Sequence, residues 1–324
     1  MESGPSASEI RAGARGALAR AITLLESARS DRAAEGRRLL EALMPNTGTA
    51  VRVGVTGPPG VGKSTFIEAL GLHLIEQGLQ VAVLAVDPSS PITHGSILGD
   101  KTRMERLARR PEAFIRPSPS GSALGGVAHR TRETLLVCEA AGFDVVLVET
   151  VGIGQSEVAV RSMVDFFLVL LQPGSGDELQ GIKKGVIELA DGLVVNKADG
   201  EQRMAADRTR SSHKNALGLL RPLSSNWAPD VLQVSSLESE GIADVWQMVM
   251  SHREALEASG EMQERRCDQA RAWLWDLVDD GLRDAFQSSP GVVSRLDETL
   301  RAVSDLRTPA PVAAAELLQI FRGV

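Results

Sequence analysis

Gly-Pro-Pro-Gly-Val-Gly-Lys-Ser-Thr, residues 57–65, is the stretch that decides the fold of this 324-residue chain. It follows the apolar run at 51–56 and opens a helical pattern at Ser64, which is the strand, Gly-x-x-x-x-Gly-Lys-Ser, helix order of a phosphate-binding loop, or P-loop. Its glycines let the backbone lie close to phosphates, and the N–H groups of residues 60–64 are expected to cradle the β-phosphate. The candidate nucleotide-binding residues of this loop are Gly57, Pro58, Pro59, Gly60, Val61, Gly62, Lys63, Ser64 and Thr65.

Two side chains of the P-loop are expected to carry its chemistry. Lys63 is predicted to reach the β- and γ-phosphates as a catalytic residue, and the Ser64 hydroxyl to bind Mg²⁺. Pro58 and Pro59 have no N–H to donate, so the residues after them must build the cradle. A glycine turn with a surface lysine is the alternative, but the full motif stands in the context that phosphate binding requires.

Composition narrows the classes of function. The net charge is −7 and aromatic residues make up 3% of the chain, which argues against a general nucleic-acid binder. No signal peptide is visible, and no apolar run approaches the roughly 20 residues that a membrane span needs. Cys138 and Cys267 lack metal-ligand spacing and indicate reduced thiols. We therefore expect a cytoplasmic protein with no nucleic-acid partner and no membrane contact.

The order of apolar and helical segments predicts an α/β fold of the P-loop NTPase type. Because the apolar runs have no polar face, we expect a mostly parallel sheet with helices on both faces. The predicted strands are 51–56, 81–86, 144–149, 166–171, 192–196 and 231–235. The predicted domains are an N-terminal helical extension at 1–46, a nucleotide-binding domain at 47–250 and a C-terminal helical arm at 251–324.

The helical segments at both ends have roles that the sequence leaves open. The N-terminal extension is interpreted as two amphipathic helices that either cap the next domain or form an arm for a partner. The C-terminal segment contains a long amphipathic helix that ends at Pro290, with weaker helices near 292–305 and 311–322. Such a tail packs on its own domain or on a second subunit, and a homodimer is the hypothesis.

Acidic residues near the carboxyl ends of the predicted strands are candidate metal ligands, because ligands of parallel sheets bind at that edge. Asp87 follows the second strand directly, and a turn aspartate is the alternative interpretation. Asp100 lies in the glycine-containing loop that comes next. Glu149 ends the third predicted strand, and its carboxylate can contact Mg²⁺ through the water shell of the ion.

The segment after Glu149 has the pattern of a γ-phosphate sensor. Gly152 lies three residues after the acid, and its N–H can bond the γ-phosphate and lose that bond on hydrolysis. A residue that positions the attacking water often follows such a glycine, but here the follower is Ile153. Gln155 is the nearest candidate for that role. We therefore expect slow intrinsic hydrolysis that a partner stimulates.

The fifth predicted strand ends in the guanine pattern Asn-Lys-x-Asp, about 130 residues after the P-loop. The carboxylate of Asp199 can accept from both the ring N–H and the exocyclic amine of guanine, which adenine does not offer in that arrangement. Asn196 is expected to brace the loop, and Lys197 to pack on the base. Backbone N–H groups at 235–237 can bond the guanine carbonyl, with a serine turn as the alternative. The base-site candidates are Asn196, Lys197, Asp199, Ser235, Ser236 and Leu237.

Two further segments indicate their function less specifically than these motifs do. The glycine-rich loop at 172–185 is either an ordinary polar loop or a mobile element in which Lys183 reaches the phosphates. The basic stretch from Lys101 to Arg116 is expected to be a solvated helix face, with a docking surface for a partner as the alternative.

Taken together, these motifs resemble the MeaB/MMAA family (ArgK-like) of SIMIBI-class P-loop GTPases, which are metallochaperones of adenosylcobalamin-dependent acyl-CoA mutases. The resemblance covers roughly residues 8–285 and rests on segments 57–65, 86–90, 95–101, 149–157 and 176–185. It implies GTP or GDP with Mg²⁺ as ligands, and a mutase such as methylmalonyl-CoA mutase as partner. It also implies GTP-gated delivery of intact cofactor, expulsion of inactivated cofactor and a homodimer. The implied metal and switch residues are Ser64, Asp87, Asp100, Glu149 and Lys183.

Three other classes of nucleotide-dependent protein are alternatives to this family. A nickel-insertion GTPase would need clustered His or Cys, whereas the five histidines are scattered along the chain. A MinD/ParA-type ATPase would need an early lysine where Pro58 stands, and would not need the guanine pattern. A kinase that uses the nucleotide as phosphoryl donor remains an alternative.

Overall fold

The computed structural model describes residues 4–27, 30–86, 104–117, 124–150, 156–174 and 184–323. Backbone contacts divide the chain into two compact units, Met1–Arg266 and Cys267–Val324. The first unit contains the sheet and all of the candidate site residues that the structure describes.

Within the described residues, the first unit is built on one seven-stranded sheet whose paired strands all run parallel. The strands are β1 Val51–Thr56, β2 Val81–Val86, β3 Ala113–Arg116, β4 Val145–Thr150, β5 Phe166–Leu171, β6 Gly192–Val195 and β7 Val231–Gln233. Their order is β3-β2-β4-β1-β5-β6-β7. The P-loop therefore leaves the sheet at its centre, between β4 and β5, and the predicted α/β fold class is confirmed.

Helices connect these strands and extend the chain at both ends. They are α1 Ala7–Arg11, α2 Arg15–Leu25, α3 Ser30–Leu43, α4 Lys63–Glu76, α5 Glu105–Ala108, α6 Leu124–Ala140, α7 Ser156–Arg161, α8 Lys184–Glu188, α9 Arg203–Leu217, α10 Ile242–Ser259, α11 Glu261–Ser288, α12 Pro290–Ser304 and α13 Ala310–Arg322. In the described part of the chain, no helix combines the length and the apolar character that crossing a membrane requires.

Side chains of β4 alternate between the two faces of the sheet, and both faces are covered. Val146 and Val148 join the core formed with α2, α3 and α6, whereas Val145 and Leu147 join the core formed with α4 and α10. All four side chains are at most 1% exposed. Burial on both faces explains why the strand is apolar throughout instead of alternating with polar residues.

The structure contains elements that the sequence did not predict. β3 is a four-residue edge strand in which only alternate residues are buried. Arg116, expected on a solvated helix face, lies on this strand and forms an ion pair with Glu26 at the end of α2. The described part of the N-terminal extension has three α-helices instead of two, because Gly13, at φ +74°, separates α1 from α2.

Buried ion pairs anchor the first turns of α11 near the amino ends of the strands. Arg266 donates two hydrogen bonds to Asp165, at 2.8 and 2.7 Å, and another of 2.8 Å to the carbonyl of Ala50. Arg52 forms a similar two-bonded pair with Glu139 of α6, at 2.7 and 2.9 Å. Because a buried charge is costly unless it is paired, these contacts fix where α6 and the start of α11 meet the sheet.

Another charged cluster surrounds Asp191, the residue before β6. Its carboxylate lies 3.3 Å from both Arg161 of α7 and Arg265 of α11, and it accepts a 2.9 Å hydrogen bond from the N–H of Phe167. Burial acts to raise the pKa of Asp191, but His252, Arg161 and Arg265 outweigh burial and lower it below its ordinary value. The cluster ties α7, which follows the candidate γ-phosphate sensor, to the sheet and to the start of α11.

The described part of the second unit is mainly helical and contains the rest of α11 together with α12 and α13. Ser289 is the N-cap of α12 and Pro290 its first residue, so the proline that follows α11 also starts the next helix. The rings of Phe286 and Phe321 meet edge to face with centroids 5.4 Å apart. Large apolar side chains remain exposed on this unit, among them Leu274, Trp275, Leu277, Leu282, Val293, Leu300 and Leu306.

Candidate functional site

The candidate site lies at the carboxyl edge of the sheet, where β1, β4, β6 and β7 end. Residues 57–62 of the P-loop join β1 to the first turn of α4. Beyond the strands, backbone hydrogen bonds of 3.0 Å from Asn196 to Leu171 and from Ala198 to Val234 hold the next loops in place. Motifs that are far apart in the sequence therefore meet along one edge.

Each glycine of the P-loop has a backbone conformation that disfavours a side chain. Gly57 has φ +151°, and a Cβ there would lie 2.6 Å from the carbonyl oxygen of Leu170. Gly62 has φ +95°, and its Cβ would lie 2.7 Å from Asn196 Nδ2. Gly60 has φ +78°. The loop can therefore pass this close to its neighbours, and to a phosphate, only with glycine at these positions.

Lys63 lies along the P-loop and is only 8% exposed. Its Nζ donates hydrogen bonds of 2.8 Å to the carbonyl of Gly57 and 3.3 Å to that of Pro58. A charged phosphate oxygen forms a stronger hydrogen bond with an ammonium group than a neutral carbonyl does. The geometry therefore suits an ammonium group that exchanges loop carbonyls for phosphate oxygens.

Ser64 and Glu149 are brought together although they are far apart in the sequence. Ser64 Oγ donates a 3.0 Å hydrogen bond to Glu149 Oε1, and Glu149 is 9% exposed. A hydroxyl and a carboxylate oxygen next to a phosphate-binding loop are the ligand type that Mg²⁺ prefers, so the residues present fit this ion. The other candidate metal ligands, Asp87 and Asp100, lie outside the described residues.

Asn196 and Lys197 fasten the candidate guanine loop to the P-loop. Asn196 is fully buried; its Nδ2 donates a 2.9 Å hydrogen bond to the carbonyl of Val61, and its Oδ1 accepts one of 2.6 Å from Ser236 Oγ. Lys197 has φ +60°, and its Nζ donates a 2.7 Å hydrogen bond to the carbonyl of Gly60. Side-chain hydrogen bonds therefore join the two loops directly.

Asp199 accepts a 2.6 Å hydrogen bond from Ser235 Oγ. The backbone of Ser235 also forms two 3.1 Å hydrogen bonds with Glu240, and Gly241 follows this turn with φ +75°. Leu237, within the turn, is 77% exposed. The turn therefore holds Ser235 against the candidate base-reading carboxylate and leaves Leu237 accessible.

Five of the site residues predicted from the sequence lie outside the described residues. The described residues include the P-loop candidates, Glu149 and the base-site candidates. Across that same part of the chain, no group of three or more His, Cys, Asp and Glu side chains is arranged to hold a metal ion. The candidates outside the described residues are Asp87, Asp100, Gly152, Gln155 and Lys183.

Thr56 and Thr150 are neighbours at this edge that the sequence did not single out. Thr150 Oγ1 donates a 2.7 Å hydrogen bond to Thr56 Oγ1, and the two residues are 0% and 1% exposed, respectively. Each threonine ends a strand next to a recognisable motif, and this position is the only feature of the nearby sequence that could have identified it. Their contact depends on β1 lying beside β4, and strand order cannot be read from the spacing of motifs.

Comparisons with known proteins cover this whole site. A family profile described as "Methylmalonyl Co-A mutase-associated GTPase MeaB" matches residues 18–291. A crystal structure described as LAO/AO transport system kinase has a TM-score of 0.79 and 40% sequence identity, and the match covers 98% of this chain and 96% of that one. The matched segments therefore include both the P-loop and the candidate guanine loop.

Curated relatives match over most of the chain. A Caulobacter vibrioides protein named putative GTPase is 56% identical over 310 residues, which are 96% of this chain and 95% of the relative. The Escherichia coli GTPase ArgK is 53% identical over 265 residues, covering 82% and 80%. The Mus musculus protein named methylmalonic aciduria type A homolog, mitochondrial, is 43% identical over 321 residues, covering 96% and 77%.

Proposed function

Because this chain belongs to the MeaB family of methylmalonyl-CoA mutase-associated GTPases, we propose that it uses GTP to control an adenosylcobalamin-dependent acyl-CoA mutase. In this proposal the chain is a metallochaperone that gates the loading of adenosylcobalamin and helps to expel inactivated cofactor. It acts in the cytoplasm as a homodimer. The observation that best supports a single guanine-nucleotide site is that Asn196 joins the P-loop carbonyl of Val61 to Ser236.

The P-loop binds the phosphates of GTP in this proposal. Backbone N–H groups at 60–64 bond the β-phosphate, and the amino end of α4 adds its positive dipole. Lys63 exchanges the carbonyl of Gly57 for oxygens of the β- and γ-phosphates. Mg²⁺, when bound, supplies positive charge beside these phosphates. The residues that would hold it are Ser64, Asp87, Asp100 and Glu149.

The guanine base is bound by the loops after β6 and β7. Asp199 accepts from the ring N–H and the exocyclic amine, and its 2.6 Å hydrogen bond from Ser235 keeps the carboxylate in place. The stem of Lys197 covers one face of the base. Backbone N–H groups at 235–237 bond the guanine carbonyl. Adenine leaves Asp199 without donors, which gives the preference for GTP.

The γ-phosphate controls the segment that follows Glu149. The N–H of Gly152 bonds this phosphate and releases it on hydrolysis, and Lys183 approaches it from the loop after β5. Gln155 is the candidate for positioning the attacking water, since Ile153 has no polar group for that task. Intrinsic hydrolysis is therefore slow, and the mutase completes the site.

A binding experiment tests the role in mutase control. Methylmalonyl-CoA mutase from the source organism is immobilised, and its affinity for this chain is measured with GDP and with a non-hydrolysable GTP analogue. We expect the two affinities to differ by at least about tenfold, which is a coupling of roughly 1.4 kcal/mol. Single-turnover GTP hydrolysis is expected to accelerate when mutase saturates the chain.

The variant Lys63→Ala is the control for that experiment, because it removes the ammonium group that would sense the phosphates. The variant should bind the mutase equally in both nucleotide states. If the unaltered chain itself binds with the same affinity in both states, and hydrolyses GTP equally fast with and without mutase, the proposed control of a mutase is wrong.

Phosphoryl transfer is the second candidate activity, since one similar solved structure carries the description of a kinase. The P-loop serves both reactions, because water or an acceptor hydroxyl can attack the same γ-phosphate. GTP labelled at the γ-position distinguishes them. Release of all label as free phosphate supports hydrolysis, and label that appears on a protein or small-molecule acceptor supports a kinase.

A further inference from the structure

We infer that Thr56 and Thr150 are positioning residues of the nucleotide site, whose mutual hydrogen bond keeps the P-loop and Glu149 at the spacing that Mg²⁺ binding requires. This inference rests on the proposed function. The two hydroxyls lie 2.7 Å apart, and both residues are at most 1% exposed. Removing one hydroxyl leaves the other without this partner, and an unpaired hydroxyl is costly because the site is buried.

The hydrogen bond joins the last residues of β1 and β4, each of which directly precedes a candidate motif in the sequence. Backbone pairing of β1 with β4 runs up to Val55 opposite Glu149, and Thr56 and Thr150 are the next residues of these strands. The P-loop begins directly after Thr56, and the candidate γ-phosphate sensor begins directly after Thr150. The side-chain bond therefore extends the connection of the two strands to their last residues.

The side chains of Thr56 and Thr150 lie on the face of the sheet opposite to that of Glu149. Along a strand, successive side chains point to opposite faces, so Thr150 shares its face with Val148 and not with Glu149. Glu149 faces α4 and accepts a 3.0 Å hydrogen bond from Ser64 Oγ. The pair therefore influences the metal ligands through the backbone of the two strand ends, without contacting them.

The test compares how strongly Mg²⁺ tightens nucleotide binding. The affinity of the full chain for fluorescent GDP is measured with Mg²⁺ and with EDTA, for the unaltered protein, Thr150→Val and Thr150→Ser. We expect Thr150→Val to reduce the Mg²⁺-dependent tightening by about three- to tenfold, the range that loss of one buried hydrogen bond gives. Thr150→Ser keeps the hydroxyl and should restore the tightening.

A matched control comes from α6. Thr131 is also buried, but its hydroxyl donates a 2.8 Å hydrogen bond to Val127 of its own helix. Thr131→Val should therefore keep the full Mg²⁺-dependent tightening. Equal tightening in Thr150→Val and the unaltered chain, or an equal loss in Thr131→Val, would overturn the inference.

The double variant Thr56→Val, Thr150→Val keeps the test usable if Thr150→Val does not fold, because it leaves no unpaired hydroxyl. It should lose the tightening as well, and full tightening in it would overturn the inference. Failure of the proposed guanine-nucleotide site, on which the inference rests, has a different signature, since the unaltered chain would then bind GDP no better than ADP.

Discussion

Gly62 determines how closely the P-loop and the candidate guanine loop approach each other. Its φ is +95°, and an added Cβ would lie 2.7 Å from Asn196 Nδ2. Gly62→Ala is therefore expected to weaken GTP binding by at least about tenfold and to destabilise the fold by roughly 1–3 kcal/mol. Calorimetric titration with GTP and thermal unfolding measure these two effects.

Gly78 provides a matched control for that variant. It follows α4 with φ +84°, but an added Cβ there would meet nothing within 4 Å. Gly78→Ala should show the cost of backbone strain, about 1 kcal/mol, while GTP affinity stays unchanged. If both variants bind GTP equally well, the close approach of Asn196 to Gly62 does not matter for GTP binding.

The sequence marks the local motifs of the candidate site but not the contacts that tertiary packing creates. The glycine pattern and the Asn-Lys-x-Asp pattern are local, because a few consecutive residues must supply a phosphate cradle or a base-reading edge. The positive φ of Lys197 and its hydrogen bond to Gly60 depend on tertiary packing. The bond between Thr56 and Thr150 does as well, and nothing in the sequence around either threonine marks it.

At the scale of elements, α6 carries a carboxylate that opposes folding at high pH. Desolvation raises the pKa of Glu133 from 4.5 to about 7, although Arg130 and Arg37 act to lower it. Since the folded state binds this proton more tightly than the unfolded state, stability is expected to fall as pH rises from about 4.5 to about 7.

The variant Glu133→Gln removes this titration from α6. It should be more stable than the unaltered chain at pH 8, by roughly 1–3 kcal/mol, and show little difference at pH 4.5. Thermal unfolding at both pH values measures the effect, and Glu41→Gln, on an exposed position of α3, serves as control. A gain that is the same at both pH values would show that the charge of Glu133 is not its cause.

Some helices and strands of the structure are easier to predict from the sequence than others. Continuous apolar runs such as Val81–Val86 were predicted at their observed positions because burial on both faces requires them. The edge strand Ala113–Arg116 was missed because it has four residues, alternates in burial and contains Arg116. The predicted number of helices in the N-terminal extension was also wrong, since Gly13 divides the first predicted helix into two.

At the scale of the whole molecule, the second unit is expected to mediate dimerisation. Leu274 and Leu282 of α11 are 59% and 58% exposed and lie on one helix face, because they are eight residues apart. The double variant Leu274→Asp, Leu282→Asp should turn a dimer at micromolar concentration into a monomer, as measured by light scattering.

Two controls accompany the dimerisation experiment. Circular dichroism should show unchanged helix content in the double variant, so that loss of the dimer is not loss of the fold. Asp276→Asn changes an exposed residue of α11 about half a turn around the helix from Leu274 and should stay dimeric. A monomeric unaltered chain, or a double variant that remains dimeric, would rule out dimerisation through this helix face.

In the proposed function, one edge of the sheet binds a guanine nucleotide and Asp199 accepts hydrogen bonds from the base. The most direct measurement compares hydrolysis of GTP and xanthosine triphosphate by the unaltered chain and by Asp199→Asn, with Asp207→Asn as control because Asp207 bonds Gln233 instead. We predict that Asp199→Asn shifts the ratio of kcat/KM values toward xanthosine triphosphate by at least about 100-fold, while Asp207→Asn leaves it unchanged. The same preference for GTP in all three proteins would show that Asp199 does not recognise the base.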